Sequence, residues 1–300
     1  MTSVDVPVRD PGSWILERAT SPRRRFTNGL ATAWMIGSML VAALPLFVII
    51  VYVVSRGAGV MSWSFLTKDL PIVTQFPGGG IAPAIVGTLV ITATAAAMAI
   101  PLGVLAAIYL NEYGRNSRIA GVVRFMADVM TGVPSIVMGL FIFSIWTLRF
   151  GFSGFAGALA LACLMLPIVI RSSEEMLKLV PNSLREASYA LGASKTRVTL
   201  TVVFPAALAG IVSGALLAVA RGAGETAPLL FTILTVTEAN RNVFHGPNTA
   251  LATQIFSNAT QPYPGAESRA WGAALTLIAI AFILMILARI VTARFTRQAR

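Results

Sequence analysis

The chain has 300 residues, 56% of them apolar and 12% charged, with a formal net charge of +11. A soluble domain carries roughly twice that share of charge, and several apolar runs reach about 20 residues, the length that crosses a hydrocarbon core. Composition therefore excludes a soluble globular protein and sets the fold class as an all-α integral membrane protein. Barrel strands are excluded as well, because the long runs do not alternate apolar and polar residues.

The basic residues stand at the ends of apolar runs, where they orient a membrane protein, so the charge points to membrane lipid and not to nucleic acid. The single cysteine, Cys163, lies in an apolar run, and the single histidine, His245, lies in a loop. No intramolecular disulfide and no Cys/His metal site follows from them.

In chain order, residues 1–29 read as a cytoplasmic tail with the cluster Arg23-Arg24-Arg25. The first apolar run is too long for a signal-peptide core and acts as an anchor. Six spans are predicted, at about 30–54, 81–109, 121–148, 154–170, 206–236 and 270–291, followed by a tail at 292–300. Residues 55–80 and 237–268 read as outside loops, the second with a short helix around Thr249 to Phe256. Seventeen Lys and Arg fall on the side of both termini and the 171–205 loop, and five on the other side. The positive-inside rule then makes both termini cytoplasmic, in a multi-pass protein of the plasma membrane.

The loop at 171–205 carries the first candidate site. Pro181 breaks the chain, Asn182 is placed to cap a helix, and Ser183 and Glu186 have capping-box spacing. A helix is predicted over Leu184 to Leu191, closed by Gly192 at the C′ position, and a second short one from Ser194. Leu184, Ala187, Ala190 and Leu191 offer an apolar face that needs a surface, since helices this short are marginal in water. Physics alone leaves two surfaces open, lipid headgroups or a groove on a partner. The spacing Glu186-Ala187-Ser188, Gly192, then Val202-Val203-Phe204-Pro205 resembles the EAA motif of bacterial ABC importer permeases. Ser188 replaces the second Ala of that motif, and Val202 and Phe204 replace the usual Ile and Leu. The resemblance implies a coupling helix that docks on an ATPase subunit through Leu184, Glu186, Ala187, Ala190 and Gly192. No nucleotide-binding loop occurs in this chain, so ATP with its magnesium belongs on that partner and the chain is not itself an enzyme.

The second candidate site lies in the predicted fifth span. Ala206, Gly210, Gly214, Ala218 and Gly222 recur every four residues, a stripe suited to close helix packing. Beside it, Arg221 and Glu225 are four apart. An arginine deep in a membrane costs at least about 2.5 kcal/mol, so it faces either protein or a water-filled path. One reading is a structural Arg221–Glu225 ion pair; the other is an anion site, since a guanidinium fork matches tetrahedral oxyanions. A carboxylate beside it suits a protonated oxyanion such as hydrogen phosphate better than fully ionised sulfate. Pro134, mid-span, frees a backbone carbonyl and kinks the third span. Asp128, near the inner end of that span, is expected to pair with Arg124.

Two runs resemble segments of phosphate-specific ABC importer permeases: Ala220-Arg221-Gly222-Ala223-Gly224-Glu225-Thr226-Ala227-Pro228-Leu229-Leu230-Phe231-Thr232 and Gly132-Val133-Pro134-Ser135-Ile136-Val137-Met138-Gly139-Leu140. With the EAA-like segment, the similarity extends over roughly residues 80–235, and length and local wording are closer to the PstA type than to the PstC type. The resemblance implies a type I permease fold and a path lined by Arg221, Glu225, Pro134 and Ser135. Its implied partners are a second, PstC-like permease subunit, PstB-like ATPase subunits and an extracytoplasmic PstS-like phosphate-binding protein. The substrate alternatives are sulfate and molybdate. A secondary transporter or channel is the alternative class, but no internal repeat supports it and it leaves the docking loop without a role.

Overall fold

The computed structural model describes residues 22–73, 75–76, 78–114 and 117–298. Its helices are α1 (Pro22–Gly57), α2 (Trp63–Thr67), α3 (Ala82–Ile108), α4 (Arg118–Gly132), α5 (Ser135–Ile142), α6 (Leu148–Phe150), α7 (Gly154–Lys178), α8 (Asn182–Ala190), α9 (Lys195–Val198), α10 (Phe204–Ala223), α11 (Leu229–Thr232), α12 (Leu251–Ala259) and α13 (Pro264–Gln298). Three π turns are inserted, Tyr109–Tyr113 after α3, Phe143–Thr147 after α5 and Thr199–Val203 before α10. No strand occurs among the described residues. Among them, five helices are long and apolar enough to cross a membrane, and the bent pair Arg118–Gly132 and Ser135–Phe150 makes a sixth if it is one span.

The chain divides into two compact units, residues 1–52 and 53–300. The described part of the first is the N-terminal stretch of α1, an apolar helix with Pro45 inside it. Helix begins at Pro22, earlier than the tail predicted for residues 1–29, with Thr27 Oγ1 donating to the carbonyls of Arg23 and Arg24. The rest of that predicted tail, residues 1–21, lies outside the described residues, as do residues 299 and 300.

The second unit is built around α7, which packs on α3 and α10. Ile91, Ala95 and Ala99 of α3, Leu161, Met165 and Val169 of α7, and Ala218 of α10 form its main buried cluster. Apolar burial alone does not drive helices together in lipid, so contact area from small residues carries more of the association. The predicted stripe on α10 serves this purpose. A Cβ at Gly210 would collide with Met176, one at Gly214 with Ser172, and one at Gly222 would come within 3.0 Å of Met165 Sδ.

Four features depart from the sequence expectation. The helix of the fourth span continues past residue 170 to Lys178, because the charges that follow the apolar run neutralise one another, as described below. The third span is not a kinked helix but two helices bent by 106°. Val133 is extended, at φ −71° and ψ 127°, the conformation a following proline imposes. The fifth helix stops at Ala223, not near residue 236. Gly224 and Glu225 fold back through Gly224 N–H to the Arg221 carbonyl, 3.0 Å, and Glu225 N–H to the Gly222 carbonyl, 3.2 Å. Pro228, in helical conformation at φ −68° and ψ −30°, then opens the next helix at Leu229. Finally, Pro205 is no boundary, since Lys195–Ala223 runs as one helix. A π turn immediately precedes Phe204-Pro205, where the missing proline N–H disrupts the α-helical bonding.

Candidate functional site

Two helix interruptions meet in the second unit. The break at residues 133–134 separates α4 from α5, and the break at 224–228 separates α10 from α11. Gly139 of α5 lies so near Pro228 that a Cβ there would stand 2.6 Å from the Pro228 Cα. A cavity of about 270 Å³ lies beside these breaks, lined by Met130, Thr131, Val133, Pro134 and Ser135 from the first, Arg221 and Glu225 from the second, and Leu164, Pro167 and Ile168 of α7. The structure therefore brings together all four predicted path residues, Pro134, Ser135, Arg221 and Glu225, in one cavity.

Arg221 is held loosely. Its Nε stands 3.6 Å from Glu225 Oε1, with 70% of the arginine side chain exposed and 19% of the glutamate. That separation exceeds hydrogen-bond distance, so the fork of donors remains available. Ser135 opens α5, and the N-terminal end of a helix favours negative charge through its free N–H groups and dipole. A cation, a carboxylate and a helix N-terminus thus share one small cavity.

A second charge cluster lies on α4 and α7. Glu174, fully buried, receives Arg124 Nε at 2.7 Å, Lys178 Nζ at 3.3 Å and Arg171 Nη1 at 3.4 Å. Arg124 also donates through Nη2 to the Leu110 carbonyl at 2.8 Å. Asp128 was expected to pair with Arg124; it pairs instead with Arg171, whose Nε donates to Asp128 Oδ1 at 2.8 Å. The buried Glu174 takes Arg124, and α7 supplies Arg171 in its place. The sequence reading missed Glu174, although Arg171 and Lys178 stand three and four residues from it, the helical spacing of ion pairs.

At the other candidate site, α8 buries no residue. Leu184, Glu186, Ala187, Ala190 and Gly192 are all exposed, Leu184 and Leu191 by 45% and 89%. Gly192 has φ +80°, and its N–H donates to the Tyr189 carbonyl at 2.9 Å while Ala193 N–H reaches the Ser188 carbonyl at 3.2 Å. This is the left-handed closure that glycine permits. The predicted cap differs: the helix starts at Asn182 behind Pro181, and no side-chain cap forms there. Ser194 does cap α9, accepting from Arg197 N–H at 3.4 Å.

A bundle of membrane-length helices, broken beside a cavity that holds one arginine and one glutamate, with an exposed loop helix, fits a membrane transport protein. The chain belongs to the family of inner membrane components of binding-protein-dependent transport systems, whose model matches residues 99–297. It is 42% identical, over 99% of its length and 96% of the relative's, to the phosphate transport system permease protein PstA 1 of Mycobacterium tuberculosis (strain ATCC 25618 / H37Rv). The PstA protein of Yersinia pestis is 42% identical over 90% of this chain and 92% of that protein. Among solved structures, a bacterial ABC transporter that imports alginate aligns with a TM-score of 0.59 at 13% identity, covering 91% of this chain and 98% of that one. The inward-facing methionine transporter MetNI aligns at 0.55 and 19% identity, covering 74% and 94%. These likenesses show the type I permease fold. Family membership makes the chain a multi-pass transport subunit and implies a substrate-binding protein and an ATPase as partners.

Proposed function

We propose that the chain forms half of the translocation path of an ATP-driven importer of inorganic phosphate. The observation that carries this reading is the loosely held Arg221 in a cavity shared with Glu225, Ser135 and the break at Pro134. The relatives named as phosphate transport permeases support the choice of anion. A phosphate entering the cavity meets the Arg221 guanidinium and the α5 N-terminus, and a protonated phosphate oxygen donates to the Glu225 carboxylate. The site holds the ion weakly, because a tight site traps what it must release.

In this reading both termini and α8 face the cytoplasm. The face formed by Leu184, Ala187, Ala190 and Leu191, with Glu186 and the turn at Gly192, seats in a groove of a PstB-like ATPase that binds ATP with magnesium. A PstC-like permease supplies the other half of the path, and a PstS-like binding protein delivers phosphate to the outer face. ATP-driven closure of the ATPases moves α8 and alternates access to the cavity.

The test is uptake of radiolabelled phosphate, sulfate and molybdate by cells carrying Arg221→Lys, Arg221→Gln or Glu225→Gln. Arg221→Gln is expected to lower phosphate uptake about 100-fold, the scale of losing a preorganised charged donor, with Arg221→Lys between it and the unaltered chain. Glu225→Gln is expected to reduce phosphate uptake more than sulfate uptake. Unchanged phosphate uptake in both Arg221 variants removes the anion site, and selective loss of sulfate or molybdate uptake reassigns the substrate.

A further inference from the structure

The exposed helix α8 is fastened to the bundle through one side chain that its proposed docking face leaves out. Arg185 stands between Leu184 and Glu186, yet its side chain is only 13% exposed. Its Nη2 donates to Glu112 Oε1 at 2.8 Å and to the Leu177 carbonyl at 3.1 Å. Its Nη1 donates to the Val180 carbonyl at 2.6 Å and to Asn182 Oδ1 at 3.4 Å. Glu112, 5% exposed, also accepts from Asn111 Nδ2 at 2.8 Å.

These partners belong to three elements. Arg185 is on α8, the Leu177 carbonyl is in the last turn of α7 and the Val180 carbonyl just beyond it, and Glu112 is in the π turn that follows α3. A cation is favourable where a helix leaves its last carbonyls unpaired. A buried ion pair is weak evidence for stability, since apolar replacements often serve as well, but its directed bonds fix geometry. Beside it, Tyr113 of the same π turn bonds Thr196 Oγ1 at 3.2 Å, and Lys195 Nζ stands 5.1 Å from the Tyr113 ring centroid. Both ends of the α8–α9 loop therefore fasten to one π turn.

We propose that Arg185 and Glu112 are positioning residues for transport, the joint through which a displaced α8 carries α3 and α7 with it. From Lys178, α7 reaches Ile168 on the cavity wall in about 15 Å of helix rise, and it also contributes Pro167 and Leu164 to that wall. Motion at α8 thus reaches the anion cavity along α7 as well as along the continuous Lys195–Ala223 helix. The joint rests on the reading of α8 as the part that docks the ATPase.

The experiment uses the whole transporter in proteoliposomes with phosphate-loaded binding protein, reading phosphate uptake, ATP hydrolysis and ATPase retention. Glu112→Gln and Arg185→Gln are expected to keep the ATPase bound and hydrolysing while phosphate moved per ATP falls about 10-fold, the scale of lost coupling along a connecting network. Glu112→Asp and Arg185→Lys, which keep the charges but not all of the directed bonds, are expected to retain more of that ratio than the Gln variants. The joint is overturned if the Gln variants move as much phosphate per ATP as the unaltered chain. It is also overturned if uptake and hydrolysis fall together with the yield of folded complex, in the Asp and Lys variants as in the Gln variants. Ala187→Asp on the exposed face reports on docking itself and is expected to release the ATPase. If the ATPase stays bound in Ala187→Asp, the docking reading fails and takes the joint with it, whereas failure of the Gln variants alone removes only the joint.

Discussion

Arg124 and Arg221 both stand in helices of the same apolar bundle, and their surroundings differ in kind. Arg124 meets a fully buried carboxylate at 2.7 Å and a backbone carbonyl at 2.8 Å, and Glu174 in turn collects two more cations. Arg221 is 70% exposed and has a carboxylate at 3.6 Å. In the first arrangement the buried carboxylate is matched by three cations inside the protein, as a buried charge must be. The second keeps donors in reserve on the wall of a cavity. Charge that is fully matched serves the fold, and charge that is left partly matched is available to a solute.

The comparison breaks most readily at Glu174. Replacing it with Gln leaves Arg124, Arg171 and Lys178 without their shared carboxylate and is expected to cost about 3 kcal/mol of stability, read as a large drop in melting temperature in detergent. Glu175→Gln is the control. That carboxylate is 59% exposed and pairs with Lys178 at 2.9 Å, so its loss is expected to cost under about 1 kcal/mol. Gly139→Val tests whether the two helix breaks must touch. The added side chain meets Pro228, and the overpacking is expected to cost about 1–3 kcal/mol and to lower phosphate uptake in parallel. The smallest expected change in stability is that of Arg221→Gln, within about 0.5 kcal/mol, although it abolishes most uptake. A loss of stability like that of Glu174→Gln would move Arg221 into the structural class and end the contrast.

Apolar run length made most of the helices legible, because the hydrocarbon thickness sets their minimum length. Arg221 and Pro134 stood out for a similar reason, since an intramembrane charge and a mid-span proline are costly features; that they share a path with Glu225 and Ser135 followed only from the resemblance to phosphate permeases. Hydropathy is blind to backbone direction, however. Ala227, Leu229, Leu230 and Phe231 continue the apolar run past residue 223, so the end of α10 was hidden, although Gly224 and Pro228 marked it. The Arg124–Glu174 pair spans 50 residues of sequence, and the Arg185–Glu112 pair spans 73. No local pattern connects partners that far apart. The cap predicted at Asn182 failed because Pro181 already supplies the bend, and the Ser183–Glu186 spacing has no N-terminal end to close.

The π turn at Thr199–Val203 sets the rotational phase along the Lys195–Ala223 helix. A π turn accommodates one residue more than an α turn, and one residue is about 100° of rotation around a helix axis. The surface that α9 and the α8 loop turn outward is therefore offset from the surface that α10 turns toward the cavity by the presence of that single added residue. The exposed α8–α9 surface and the cavity at Arg221 are clocked against each other by a local irregularity in an otherwise continuous helix. A residue added or removed between them would change the angle at which a push arrives, without altering any residue that pushes or any residue that binds.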